Sequence, residues 1–337
     1  MMVTSRNLVA IFGLCSVSIL FVFIIVVLQG EGLVIEQIVR ASQRLTKKED
    51  TVKENKIVAI PTKWEKFISA SEVRRIKQGN EFIPTNDPVL IEYIRKQIAG
   101  PSEEPLFLFN PEQEIDQSQV GQSKRVDEIL HHKTRGFYVE CGAAAGERDS
   151  NTLFFDGARN WTGLLIEPDP EAYDSMLRRN RHAYSINSCL SPDNQTKMML
   201  FEVAGERGGL ANQDRAGPGG KGAANSAIQC FPIDAVLRAL DVKHIDYFSL
   251  DVEGLEVAIL KTFPWGTVTV DVWTVEFRTF KDSKMHPGLT RERYDAIKEV
   301  FDATGLYEVN GTLPAAVPGG IPSMGGLDVV YIRKGFV

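Results

Sequence analysis

Three apolar runs in the C-terminal two-thirds of the chain each end on an acid followed within two residues by glycine or proline: GFYVECG (136–142), GLLIEP (163–168) and IDYFSLDVEG (245–254). Runs with so little polar alternation fit strands buried on both faces, and such strands occur in parallel sheets sandwiched between helices. Helical spacing recurs between them, in EAYDSMLRRNRH (171–182), IDAVLRAL (233–240), GLEVAILKTF (254–263) and RERYDAIKEVFDATG (291–305). Further strands are expected in HAYSINSCLS, TKMMLFEVA, AIQCFP, VDVWTVEFR and LDVVYIRK. This rhythm predicts an α/β domain over residues 136–337, with a mostly parallel Rossmann-like sheet and helices on both faces. The Gly-rich stretch 205–222 is expected to be an exposed loop.

Ligands of open α/β sheets bind at the carboxyl ends of the strands, near the point where strand order reverses. Glu140, Gly142 and Gly146 therefore form a candidate nucleoside-binding turn. The two glycines are four apart, which is not the dinucleotide spacing, and a plain packing turn is an open alternative. Glu167 ends the second run 25 residues beyond Gly142, where a carboxylate can accept both ribose hydroxyls. No basic phosphate clamp lies near Gly142, which favours an adenosyl ligand over NAD; an ordinary surface acid is the alternative for Glu167. Asp251 and Glu253 are spaced i, i+2 at the third strand end, so extended geometry would put both on one side. They are candidate catalytic groups, as substrate positioners or as a general base, and equally candidates for an acid pair at a helix N-terminus. Glu276 ends a fourth run.

The N-terminal part has a different character. Residues 8–28 carry no charge and no proline, and 21 residues of helix span roughly 31 Å, enough for a bilayer core. The run is longer than a signal-peptide core and has no small-residue cleavage site, so a retained anchor is expected. Residues 1–7 would be cytosolic, 29–85 a polar stem and 86–135 a helical extension. Arg40, Arg44, Lys47 and Lys48 after the anchor lean toward a cytosolic domain by the positive-inside rule. The sequons at Asn160, Asn194 and Asn310 lean toward a lumenal one, and that orientation is the one expected. In a lumen, Cys189 and Cys230 are the first choice for a disulfide, with two separate buried thiols as the alternative. A net charge of −6 with no basic face argues against a nucleic-acid partner. No Cys/His spacing suggests zinc, and no metal is expected.

GFYVECGAAAGERDSNT, GLLIEPDP and IDYFSLDVEGLEVAIL resemble the FkbM methyltransferase domain. The order DPVLIEYIR, VDEIL, GFYVECGA, NSCLSPD, IQCFP and FSLDVEG is similar to that of the animal Star proteins. The resemblance covers about residues 87–334. It implies a class I methyltransferase fold with S-adenosyl-L-methionine as cofactor, held by Glu140, Gly142, Gly146 and Glu167, and a reaction site near Asp251 and Glu253. The Star likeness implies a single-pass protein with a lumenal domain, acting in cargo movement from the endoplasmic reticulum through Golgi and endosomal membranes. Two positions depart from the FkbM pattern. Ala143-Ala144 replaces a polar pair in the first loop, and Ser249 stands where a lysine is common. Two function classes follow: O-methyl transfer to a hydroxyl of a small molecule, glycan or lipid, or a non-catalytic trafficking factor that binds a cargo membrane protein.

Overall fold

The computed structural model describes residues 68–109, 114–203, 209–210, 224–281, 284–314 and 326–336. The anchor expected over residues 8–28, the cytosolic tip and most of the stem lie outside them. Among the described residues no helix is long and apolar enough to cross a membrane.

Seven strands form the main sheet: β1 (Phe137–Cys141), β2 (Thr162–Ile166), β3 (Tyr184–Ile186), β8 (His244–Leu250), β9 (Thr269–Glu276), β12 (Tyr307–Leu313) and β13 (Asp328–Arg333). Their spatial order is β12-β13-β9-β8-β1-β2-β3. β3, β2, β1, β8 and β9 pair in parallel, while β13 pairs antiparallel with both of its neighbours. The order reverses at β1, which has β2 on one side and β8 on the other, so the crevice predicted by the topology opens above β1. A second sheet, which the sequence reading did not separate, contains β4 (Cys189–Leu190), β7 (Ala224–Phe231), β5 (Lys197–Val203) and β6 (Gly209–Leu210) in that order. A two-stranded pair, β10 (Phe280–Lys281) with β11 (Lys284–Met285), completes the strands among the described residues.

Alternation along the strands sends their side chains into two cores. Val139, Cys141, Ile166, Phe248, Leu250, Trp273 and Val275 pack on one face under α1 (Ala70–Gln78), α2 (Pro88–Arg95), α6 (Ile233–Ala239), α7 (Glu256–Thr262) and α8 (Pro287–Thr304). Tyr138, Leu165, Tyr247, Val272 and Val330 pack on the other under α3 (Gln122–Ile129), α4 (Leu153–Arg159) and α5 (Pro170–Leu177). Burying one such aliphatic side chain contributes about 1.5–3 kcal/mol, which is why the runs must lie between two helical layers.

The local signals behave as their chemistry requires. Asp87 caps α2 by accepting from the N–H groups of Val89 and Leu90, with Pro88 in the first turn. Ser69 and Glu72 form a reciprocal cap at the start of α1, and Gly79 ends it in the left-handed conformation. Ile76 and Ile83 are buried in the first core. Within the expected 29–85 stem, the amphipathic helix α1 packs its buried Ile76 onto this core. HAYSINSCLS also differs from the single strand expected. It breaks at Asn187–Ser188, and its halves join different sheets as β3 and β4. Cys189 lies opposite Cys230 in the β4–β7 register, and the two are joined by a disulfide.

Candidate active site

Register brings the acid-bearing strand tips together. Cys141 pairs with Ile166 on one side and with Leu250 on the other. The next residues, Gly142, Glu167 and Asp251, are therefore neighbours at the carboxyl edge. Two hydrogen bonds carry the ladder past the strands: the Gly142 N–H donates to the Ile166 carbonyl at 3.0 Å, and the Asp251 N–H to the Cys141 carbonyl at 3.2 Å. Glycine is required at 142. Its φ is +83°, and a Cβ there would lie 2.0 Å from the Asp251 carbonyl oxygen. Gly146, with φ +72°, meets Met176 of α5 in the same way, at 2.6 Å from the Met176 Cγ. Both missing Cβ atoms thus let this chain's own elements close up.

Glu140 has its carboxylate occupied by the loop that follows it. The Asn151 N–H donates to Oε1 at 2.6 Å, and the Ser150 and Thr152 hydroxyls donate to Oε2 at 2.9 and 2.5 Å. Arg181, 4 % exposed, lies behind that loop. It donates to Asp156 at 2.8 Å, to the Gly146 carbonyl at 2.7 Å, to Thr152 Oγ1 at 3.0 Å and to the Tyr138 hydroxyl at 3.1 Å. Burial pushes the Glu140 carboxyl up, and Arg181 and the three donors pull it back. The assigned role of Glu140 is refined accordingly: its carboxylate builds the loop between β1 and α4. Asn151 also donates to the Ser249 hydroxyl at 2.9 Å, so Ser249 ties β8 to that loop.

Glu167 is held by backbone alone. The N–H groups of Ala144 and Asp169 each donate to one carboxylate oxygen at 2.7 Å. The residue is 5 % exposed, and burial raises its pKa to about 7 against the pull of these two donors. Each oxygen keeps a lone pair for a further donor. The departure at Ala143-Ala144 therefore still leaves an N–H that orients Glu167.

Across the switch point the acids meet one another. One carboxylate oxygen from each of Asp251, Glu256 and Glu276 lies within 4.8 Å of the other two. Burial, then the charges of Glu253, Asp328 and Glu256, hold Asp251 well above the carboxylate range; burial and Asp251 do the same to Glu276. Asp328 pairs in register with Glu276, and burial raises its pKa to about 7 although Gln122 donates to it at 2.6 Å. Glu256 closes the tip by accepting from the N–H groups of Val252 at 3.1 Å and Gly254 at 3.0 Å. The expected one-sided pairing of Asp251 with Glu253 rests on strand geometry that ends too early. β8 stops at Leu250 and Glu253 has φ +55°, so alternation no longer sets its direction, though its charge still reaches Asp251.

The sequence reading brought Glu140, Gly142, Glu167 and Asp251 to one edge and noted Glu276. It missed Arg181, Asp156, Glu256 and Asp328, and only the position of Asp328 at the head of an apolar strand gave any signal. The sequon residues Asn160, Asn194 and Asn310 are all exposed. A depression of 550 Å³ lined in part by Asn194, Asp193, Gly254 and Lys261 opens beside the β8 tip.

Residues 140–302 match the family described as methyltransferase FkbM domain. The match covers just under half of the chain. Its fold is the α/β Rossmann-like methyltransferase fold with a mixed seven-stranded sheet. The match supports S-adenosyl-L-methionine as its cofactor. Among solved structures the chain is similar to a TehB-like SAM-dependent methyltransferase of Corynebacterium glutamicum (9 % identity, 64 % of this chain and 89 % of that one, TM-score 0.33). It is also similar to the fibrillarin of Aeropyrum pernix in complex with natively bound S-adenosyl-L-methionine (12 %, 66 % and 84 %, 0.31). A third is the methyltransferase FkbM of Methylobacillus flagellatus (11 %, 72 % and 58 %, 0.34). No curated protein matches the sequence.

Proposed function

We propose that the FkbM domain transfers a methyl group from S-adenosyl-L-methionine to a hydroxyl of a small molecule, glycan or lipid. The observation that carries this reading is the adjacency of Gly142, Glu167 and Asp251 at the carboxyl edge of three parallel strands. The donor set fits the cofactor: a glycine with no side chain, and beside it a carboxylate with lone pairs left for two ribose hydroxyls. When bound, the cofactor supplies an electrophilic methyl group on a sulfonium. Glu167, fixed by the N–H groups of Ala144 and Asp169, orients the ribose. Asp251 positions the acceptor hydroxyl at the β8 tip, and Glu253 takes its proton.

The reading extends to the whole chain as a single-pass protein with the domain on the lumenal side of endoplasmic reticulum, Golgi or endosomal membranes. The Cys189–Cys230 disulfide supports an oxidising compartment, and the exposed sequons are accessible to glycosylation. Glycosidase treatment tests this: a drop in apparent mass is expected, and an unchanged mobility together with free thiols at Cys189 and Cys230 contradicts it.

A second reading keeps the fold without turnover, as a Star-like factor for moving cargo membrane proteins. Its support is the self-sufficiency of the first half of the site, where Glu140 is fully engaged by its own loop and Glu167 is 5 % exposed. Calorimetry with S-adenosyl-L-methionine separates the two. Saturable binding at ~1 mM cofactor or below, abolished by Glu167→Ala, is expected for the enzyme. No heat from the unsubstituted protein leaves the second reading.

A further inference from the structure

Three carboxylates meet in one partly enclosed place, and too little positive charge answers them. Glu256 is completely buried, Glu276 is 6 % exposed and Asp251 half-buried. The Arg293 guanidinium reaches Glu256 Oε2 at 3.5 Å and Glu276 Oε2 only at 3.9 Å. Arg278 acts on Asp328, the further acid of this group. Glu276 Oε2 has no hydrogen-bond partner although it is buried. A buried carboxylate oxygen without a donor costs several kcal/mol unless a proton or a cation answers it. It lies beside Glu256 Oε2, since both approach the same Arg293 nitrogen.

The other acid group among the described residues is different. At the opposite end of the strands, Asp271 has Arg333 at 3.0 Å and His244 at 2.8 Å, and Asp246 is bonded by Lys133 and by the Phe137 N–H. That group is neutralised by side chains of the chain itself.

We propose that Asp251, Glu256 and Glu276 form a binding site for one hard divalent cation of the magnesium, manganese or calcium class. An all-oxygen, carboxylate donor set selects such ions over zinc or copper. Two oxygens on opposite sides of one cation are separated by at most about twice the metal–oxygen distance, roughly 4 Å for magnesium and about 5 Å for calcium. Mutual separations within 4.8 Å lie inside the calcium limit, and a side-chain movement of under about 1 Å brings them inside the magnesium one. Asp251 closes β8 beside Gly142, so the cation lies at the edge where the methyl acceptor is placed. Its role in turnover rests on the methyl-transfer reading: the acceptor oxygen becomes a further ligand, which makes its proton easier to lose, and Glu253 takes that proton. Binding of the cation does not depend on that reading.

The test is manganese titration of the full chain in detergent, stripped of metal with EDTA, with free Mn²⁺ read by electron paramagnetic resonance. One Mn²⁺ per chain is expected, displaced by excess Mg²⁺ or Ca²⁺, with a rise in melting temperature on binding. Glu276→Gln and Asp251→Asn, each nearly isosteric, should weaken binding at least roughly tenfold and lose the melting shift. Glu167→Gln should retain Mn²⁺ binding. No bound Mn²⁺ in the unsubstituted chain at ~1 mM overturns the proposal, as does undiminished binding in both cluster variants. If one variant fails to melt cooperatively, the other decides. Cofactor binding without Mn²⁺ removes only the cation site, and Mn²⁺ binding without cofactor removes only the methyl-transfer reading.

Discussion

Glu140 and Glu167, on the β1–β2 side of the switch point, take their hydrogen bonds from donors of their own chain. Glu140 has three and Glu167 has two, all within 2.9 Å. Asp251, Glu276 and Asp328, on the β8–β9–β13 side, face mainly other acids, with Gln122 bonding Asp328 and Arg293 standing off at 3.9 Å from Glu276. Both groups lie at the same edge of one sheet and both are largely buried. The first is built to be rigid before any ligand arrives. The second carries an electrostatic cost that a ligand, a proton or a cation can relieve. The first group thus shapes the cradle, and the second is where chemistry is expected.

The largest effect should come from breaking the rigid side. Arg181→Met removes the cation that joins Asp156, Tyr138, Thr152 and the Gly146 carbonyl, and leaves two buried acids without it. A loss of about 3–5 kcal/mol is expected in urea unfolding followed by the fluorescence of buried Trp161 and Trp273. A loss below about 1 kcal/mol would mean that the loop is supported elsewhere.

The next effect is a pH dependence from Glu167. Its folded pKa of about 7 lies above the ordinary value of 4.5, so the folded state holds the proton more tightly than the unfolded state does. Its contribution is therefore intact below about pH 4.5 and is lost as pH rises toward 7, on the order of 3 kcal/mol across the window. Glu167→Gln should flatten that part of the stability profile. Cofactor affinity should run the other way and rise through about pH 7, because the ionised carboxylate is the form that accepts both ribose hydroxyls. Parallel profiles for the two proteins would return Glu167 to the status of a structural acid.

Gly142→Ala tests the junction between the two sides. A left-handed alanine with its Cβ 2.0 Å from the Asp251 carbonyl oxygen must push the β8 tip away. About 1–3 kcal/mol of stability should be lost, and cofactor heat should vanish with it. Retained binding would show that the two tips need not touch.

How much of this was legible follows from where the information lies. β1, β2, β8 and β9 declare themselves because each is a continuous apolar run closed by a turn signal, and so do the acids at their ends. β12 does not: its Asn310-Gly311 looks like a turn, and in the sheet it accommodates an irregularity in register between Val309 and Gly311, with Gly311 at φ +134°. The second sheet was hidden because β5 pairs with β7 across a long Gly-rich segment, and because exposed Met198 and Leu200 blur its alternation. Arg181 follows Arg178 and Arg179, and nothing local distinguishes the buried Arg181 from the half-buried Arg179 or the exposed Arg178. Glu256 reads as the first residue of a helix, and its work as the cap of the β8 tip exists only in three dimensions.

The smallest effect is the sharpest contrast. Glu276→Gln without added metal keeps the shape of the side chain and supplies an amide that can donate to Asp251, while removing one member of a mutually repelling set. Its stability should change by less than about 1 kcal/mol, or rise, although the residue is as buried as Glu140 is. The matched change on the other side, Glu140→Gln, places an amide nitrogen against one of three donors and should be clearly destabilising, by about 1–3 kcal/mol. Urea midpoints for the pair under identical metal-free conditions decide the matter. Equal losses would mean that the acids of β8 and β9 are held as firmly as those of β1 and β2, and the division of the edge into a rigid cradle and a charged, ligand-demanding half would fail.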